Sequence, residues 1–297
     1  MTSELIHLKH GELEASLCPS LGGALAGFSC AGTALLRPWN GEATVRKMAS
    51  YPLVPYSNRI ADGRFGHAGR DVALRRNFGD HPHPLHGLGW QRAWTVADHS
   101  AHEATLLLQH RVDDAAAAAD WPWAFDARQH FALEAEGLTV TLSYHNLSDE
   151  SVPVGLGWHP YFPRHEDAEL SFSAAEVWLM DERALPSERV EVPAAWDYRA
   201  ARPVGAPGLD NCFARWQREA RIAWPGKGLA VRLQASPALE HLVVFTPQDA
   251  DFIAVEPVSH ANNAINMQAP GAHGIKHVAP GASYEVLMHL SIERITR

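Results

Sequence analysis

Cysteine is scarce in this chain: Cys18, Cys30 and Cys212 are the three thiols among 297 residues. Odd in number and widely scattered, they supply neither a disulfide framework nor a zinc cluster of the C-x-x-C kind, and they read as reduced, buried thiols. No polybasic run is present. A net charge of -9 and a sequence pI near 6.0 argue against a nucleic-acid partner, whose surface normally needs a basic patch or stripe. Nor is there a long apolar run. The stretch from Leu17 to Leu36 carries several glycines and follows Glu4, Glu12 and Glu14, which suits neither a membrane span nor the positive start of a signal peptide. A cytoplasmic address with no membrane partner is expected. No serine-rich linker, composition shift or internal repeat divides the chain, so a single domain over residues 1–297 is expected as well.

Helix has little room among 22 Gly and 20 Pro. The alanines of "DDAAAAAD" favour it, but Trp121-Pro122 stops it within a turn or two. What is abundant is period-two alternation. Leu138, Val140, Leu142 and Tyr144 alternate with Thr139, Thr141, Ser143 and His145, and Tyr284, Val286, Met288, Leu290 and Ile292 repeat the pattern near the end. Turn signals such as "GHAGR", "EGL" and "PGK" punctuate such runs at short spacing. The expected fold class is all-β: a large sandwich of antiparallel sheets.

Five polar segments do not behave like turns. "PLVPYSNRI" ends an apolar stretch on Asn58 and Arg59, where a solvated surface charge is the ordinary expectation. "HPHPLHGLGW" sets His81, His83 and His86 close together. Closely spaced histidines serve zinc sites and metal-binding cupins, yet no glutamate follows, and Pro82 and Pro84 deny the segment a regular ladder. His86 precedes a glycine that lets a backbone or a ligand come close. "GLGWHPYF" packs His159 among aromatics, as a core histidine or as an acid or base with its charge near neutral pH. In "DFIAVEPVSHANNAIN", Phe252, Ala254 and Glu256 share one strand face, so Glu256 closes an apolar series. In "GLDNCF", Asp210 taken alone reads as a turn-former before a ligand.

In that order, "PYSNRI", "LHGLGW", "GWHPYF", "GLDNCF" and the Glu256 strand resemble the aldose 1-epimerase family, the galactose mutarotases, over nearly the whole chain. The resemblance implies a β-sandwich with an open cleft, no cofactor and no metal. It implies Glu256 as general base and His159 as general acid with His86 beside it, while Arg59 and Asp210 hold the hydroxyls of a small monosaccharide. Asn58 would brace the Arg59 loop, and Trp158 or Trp90 would offer a flat surface to the sugar. Two departures bear on the preferred sugar: "PVSHANNAIN" lacks the glutamine that many members place after the glutamate, and Asp210-Asn211 replaces an aspartate-histidine pair.

Anomer interconversion opens the pyranose by moving one proton from the anomeric hydroxyl and another to the ring oxygen. That scheme calls for a glutamate pKa below the histidine's, each charge supporting the other. Three other functions are compatible with the motifs. A hexose-6-phosphate mutarotase would need extra cations such as Arg64 and Arg164, a non-catalytic sugar-binding module would keep only the shape, and a cupin-like enzyme would hold a metal. A monomer or a homodimer is expected.

Overall fold

The computed structural model describes residues 4–205 and 208–295. Among these residues two antiparallel sheets dominate, forming the expected β-sandwich. The larger has nine strands, with Ser283–Arg294 at its centre; Gly137–Asn146 beside it pairs with Phe125–Glu134 on its other side. The alternation seen in the sequence is realised here: Leu138, Val140, Leu142 and Tyr144 are buried, and the residues between them are not. Each fully buried aliphatic side chain of this kind stabilises the fold by roughly 1.5–3 kcal/mol relative to exposure. A one-residue slip in register would turn the whole set outward.

The second sheet carries Glu256, Asp210 and the segment bearing His159. In chain order its strands are β1 (Pro52–Leu53), β2 (Gly157–Trp158), β3 (Tyr161–Pro163), β4 (Glu176–Met180), β5 (Pro186–Glu191), β6 (Asp210–Ala214), β7 (His241–Phe245) and β8 (Phe252–Val258). Their spatial order is β5-β4-β6-β7-β8-β2-β1, with β3 also pairing with β8. One contiguous cluster of buried apolar residues draws on both sheets, including Val140, Leu142 and Leu290 from the first and Val243, Val255 and Ile253 from the second.

The alanine-rich stretch forms a helix of six residues, Ala115–Asp120. Asp114 caps it by accepting from Ala117 N, and the chain turns extended at Trp121. The three cysteines are free and buried. Gly87 explains how the histidine-rich loop reaches the second sheet: its φ is +67°, and a Cβ there would lie 2.2 Å from Val54 O. Only glycine permits that approach, which lets Leu88 N and Gly89 N both donate to Val54 O at 3.0 Å.

Candidate active site

The ladder of the second sheet brings a histidine and a glutamate face to face. Gly157 pairs with Val258 and Tyr161 with Ala254, so His159 falls opposite Glu256, midway between those two pairs. Alternate residues of a strand share a face, which puts Ala254, Glu256 and Val258 on one side of β8 and Ile253 and Val255 on the other. His159 Nε2 lies 3.2 Å from Glu256 Oε1. On the same face, Phe245 of β7 pairs with both Ala254 and Asp210, placing the first residue of β6 beside the pair. Asp210 is therefore a strand residue and not a turn-former; its neighbours Leu209 and Asn211 are buried while its own side chain is 47% exposed.

Aromatic rings box in His159. Its centroid lies 4.8 Å from that of Tyr51 and 4.4 Å from that of Tyr161, and the two tyrosine hydroxyls are 3.2 Å apart. His86 meets it edge-on at 5.4 Å. His159 and Glu256 are 7% and 2% exposed, and this burial decides their charge. Desolvation raises the Glu256 carboxyl well above the usual carboxylate range, with the Asp210 charge adding to the rise and Arg59 opposing it. It pushes the His159 imidazole down to about 3. Burial thus works against both charges of the expected arrangement, an ionised glutamate beside a charged histidine, while the Arg59 charge works for the carboxylate.

Arg59 stands at the edge of this cluster, its side chain 15% exposed and its Nη2 3.8 Å from Asp210 Oδ2. Asn58 adopts a left-handed backbone (φ 57°), and its Oδ1 accepts from both Arg59 N at 3.0 Å and Arg59 Nη1 at 3.3 Å. Asn58 also exchanges hydrogen bonds with His86. His86 N donates to Asn58 O at 2.9 Å, and Asn58 N donates to His86 Nδ1 at 3.0 Å. Solvent reaches the edge of the cluster at the exposed Asp210 side chain. A cleft of about 490 Å³ lined by Ile6, His7, Pro19 and Trp94 lies apart from it.

Ligand atoms of His86, His159 and Glu256 all come within 4.8 Å of one another, a spacing a metal ion could use. The tautomer of His86 opposes that use. Its Nδ1 lone pair is occupied by Asn58 N–H, so in the neutral ring Nε2 carries the proton and has no lone pair to give.

One expected residue falls elsewhere. Trp158 alternates with His159 and, 2% exposed, packs within the hydrophobic core. Trp90 is buried too, stacked on Tyr51 at 5.6 Å. Tyr51 and Tyr161, which flank His159, went unmarked in the sequence. Tyr161 had a signal, being two residues beyond His159 on the same face; Tyr51 had none.

The family profile for aldose 1-epimerase matches residues 4–291. The uncharacterized YphB protein of Escherichia coli K12 is 33% identical over 294 residues, covering 96% of this chain and 98% of the relative. A crystal structure from the same organism, provisionally named an aldose 1-epimerase, superposes with a TM-score of 0.90 at 32% identity, covering 98% of this chain and 99% of that one. A galactose mutarotase-like protein from Clostridium acetobutylicum shares the fold at a TM-score of 0.88 and 21% identity, covering 98% and 95% of the two chains. Fold, profile and relatives agree that the chain belongs to the aldose 1-epimerase family.

Proposed function

We propose that the protein interconverts the α and β anomers of a free aldose, with Glu256 and His159 as the reacting pair. The observation that carries this is the 3.2 Å approach of His159 Nε2 to Glu256 Oε1 in a desolvated, aromatic-walled setting. A sugar lodged against the pair draws its one proton onto His159, helped by the Arg59 charge, which favours the carboxylate. Glu256 then takes the proton of the anomeric hydroxyl while His159 delivers its own to the ring oxygen. The C1–O5 electrons leave with O5, and a lone pair of O1 closes the carbonyl. Rotation about C1–C2 exposes the other face, and reclosure runs with the roles exchanged. Each positioned group contributes roughly 10²- to 10⁴-fold.

Arg59 offers its fixed fork of donors to sugar hydroxyls, Asp210 accepts from them, and Asn58 holds the Arg59 side chain in place. His86 presents a neutral ring with its Nε2 proton as a donor. The protons and lone pairs of pair and sugar complete the chemistry, so we infer no cofactor. A free aldose is favoured over a sugar phosphate because Arg164, one of the cations a phosphate would call on, spends its Nη1 on the carbonyls of Pro247 and Gln248. Among the described residues no helix is long and apolar enough to cross a membrane. The free, buried thiols suit a reducing compartment such as the cytoplasm.

Polarimetry of freshly dissolved α-glucose, α-galactose and a pentose tests the proposal. Wild type accelerates at least one mutarotation, and His159→Ala and Glu256→Ala abolish the effect. Spontaneous rates throughout, or mutants as fast as wild type, would refute it.

A further inference from the structure

The loop that bears Arg59 is tied down by imidazole rings. Asn58 and Asp62 both take left-handed backbone conformations, with φ of 57° and 53°, so the loop cannot satisfy its N–H groups in a regular ladder. Three of those groups instead find histidine nitrogens. Ser57 N donates to His260 Nε2 at 2.9 Å, Asn58 N to His86 Nδ1 at 3.0 Å and Asp62 N to His83 Nδ1 at 2.9 Å. The rings arrive from two separate segments, His83 and His86 from one loop and His260 from the turn after β8. All three are 4% exposed or less.

A ring nitrogen accepts only while it carries no proton, so each of these contacts requires a neutral imidazole. His260 spends its other nitrogen well, with Nδ1–H donating to Ala261 O at 2.7 Å. His83 does not: its Nε2 is buried with no hydrogen-bond partner in the structure. That cost is tolerated in a ring whose Nδ1 is already engaged with the loop. Burial keeps both rings neutral, lowering His83 and pushing His260 down to about 4. Asp62 Oδ1, 3.6 Å from His83 Nδ1, is engaged by Arg183.

We propose that His83 and His260 are positioning residues for Arg59, holding its loop by accepting from Asp62 N and Ser57 N so that the guanidinium stays beside Asp210 and the His159–Glu256 pair. This rests on the aldose 1-epimerase assignment for its effect on rate, and on the hydrogen bonds alone for its effect on the loop.

The test uses the full chain with His83→Leu, His83→Asn, His260→Leu and His260→Gln, each alone and combined with Arg59→Ala. An Asn Oδ1 can stand near the site of Nδ1 and a Gln Oε1 near that of Nε2, so these two variants restore an acceptor. Amide hydrogen exchange at Ser57 and Asp62 is read by NMR, and kcat and KM by polarimetry. The leucine variants should exchange the released amide roughly tenfold faster or more and lose roughly 10- to 100-fold in kcat/KM, the scale of one unmade buried hydrogen bond. The Asn and Gln variants should recover most of both. In the Arg59→Ala background the leucine changes should cost nothing further. Unchanged exchange, losses that add to that of Arg59→Ala, or Asn and Gln variants as impaired as leucine would overturn the proposal. Should a leucine variant not fold, the acceptor-restoring variant decides, since retained protection of its amide supports the proposal and lost protection refutes it. If wild type accelerates no sugar, the enzymatic assignment fails, and the exchange measurement alone decides the loop.

Discussion

Gly155 stands against the ring of His260. A Cβ on Gly155 would lie 1.9 Å from His260 Cδ2 and 2.2 Å from Nε2, the nitrogen that accepts from Ser57 N. Gly155→Ala should therefore push the ring off that hydrogen bond and cost about 1–3 kcal/mol of stability through overpacking. Urea denaturation checks it, and a midpoint equal to that of wild type would show that the ring has room to move.

On the proposed mechanism the pair works with one proton between its two members, and a pH profile follows. Below about 3 His159 takes a second proton, so activity falls as the medium becomes more acid. The raised carboxyl of Glu256 keeps the shared proton through rising pH until its own elevated value is passed, and activity then falls. Asp210 helps raise that value, so Asp210→Asn should move the alkaline limb of kcat/KM to lower pH, whatever it does to the height of the profile. An alkaline limb that stays put, or moves upward, would contradict the assignment of that limb to Glu256.

Fold stability should also depend on pH, with a sign set by buried neutral histidines. Burial pushes His159 and His241 to about 3 and His260 to about 4, below the usual histidine value near 6.5. Between those values and about 6.5 the unfolded chain binds more protons, so stability is lost as pH falls through that window, on the order of 1–3 kcal/mol per ring. Glu256 acts in the opposite sense, since its raised carboxyl is protonated more readily in the folded state. The urea midpoint should be lower at pH 5 than at pH 7. An equal or higher midpoint at pH 5 would mean that the rings are charged in the folded protein.

Trp158 and Arg59 should separate stability from binding. Trp158→Phe removes part of a core side chain and should lower the denaturation midpoint while leaving KM alone. Arg59→Lys keeps the charge but loses the fork that meets Asn58 Oδ1 and Asp210, and should lower kcat/KM roughly 10- to 100-fold with little change in stability. A shift in KM on Trp158→Phe would return that ring to the sugar site.

Much of this was legible in the residues because strand chemistry is local. The alternation from Leu138 to Tyr144 declared a half-buried strand, and His159, Glu256, Arg59 and Asp210 each stood out as costly groups in apolar surroundings. The same alternation could have turned Trp158 away from His159. What stayed hidden was set by long-range pairing: that β3 and β8 would lay His159 against Glu256, that Tyr51 would close over the ring, and that so little water would be left to hold either charge. Partial desolvation of His159 and the cost of placing Glu256 were legible in the sequence; how completely the packed sheet strips water from both was not.

His159 and Glu256 stand opposite each other in one sheet, whereas the Arg59 guanidinium hangs from an irregular segment moored by side chains. The proposed proton-transfer groups thus rest on regular pairing, and the proposed Arg59 contact rests on a few side-chain hydrogen bonds. Changes in residues 61–63 and 264–266, sparing Asn58, Arg59, His260 and the ladder, should alter which monosaccharide is accepted more than the rate of proton transfer.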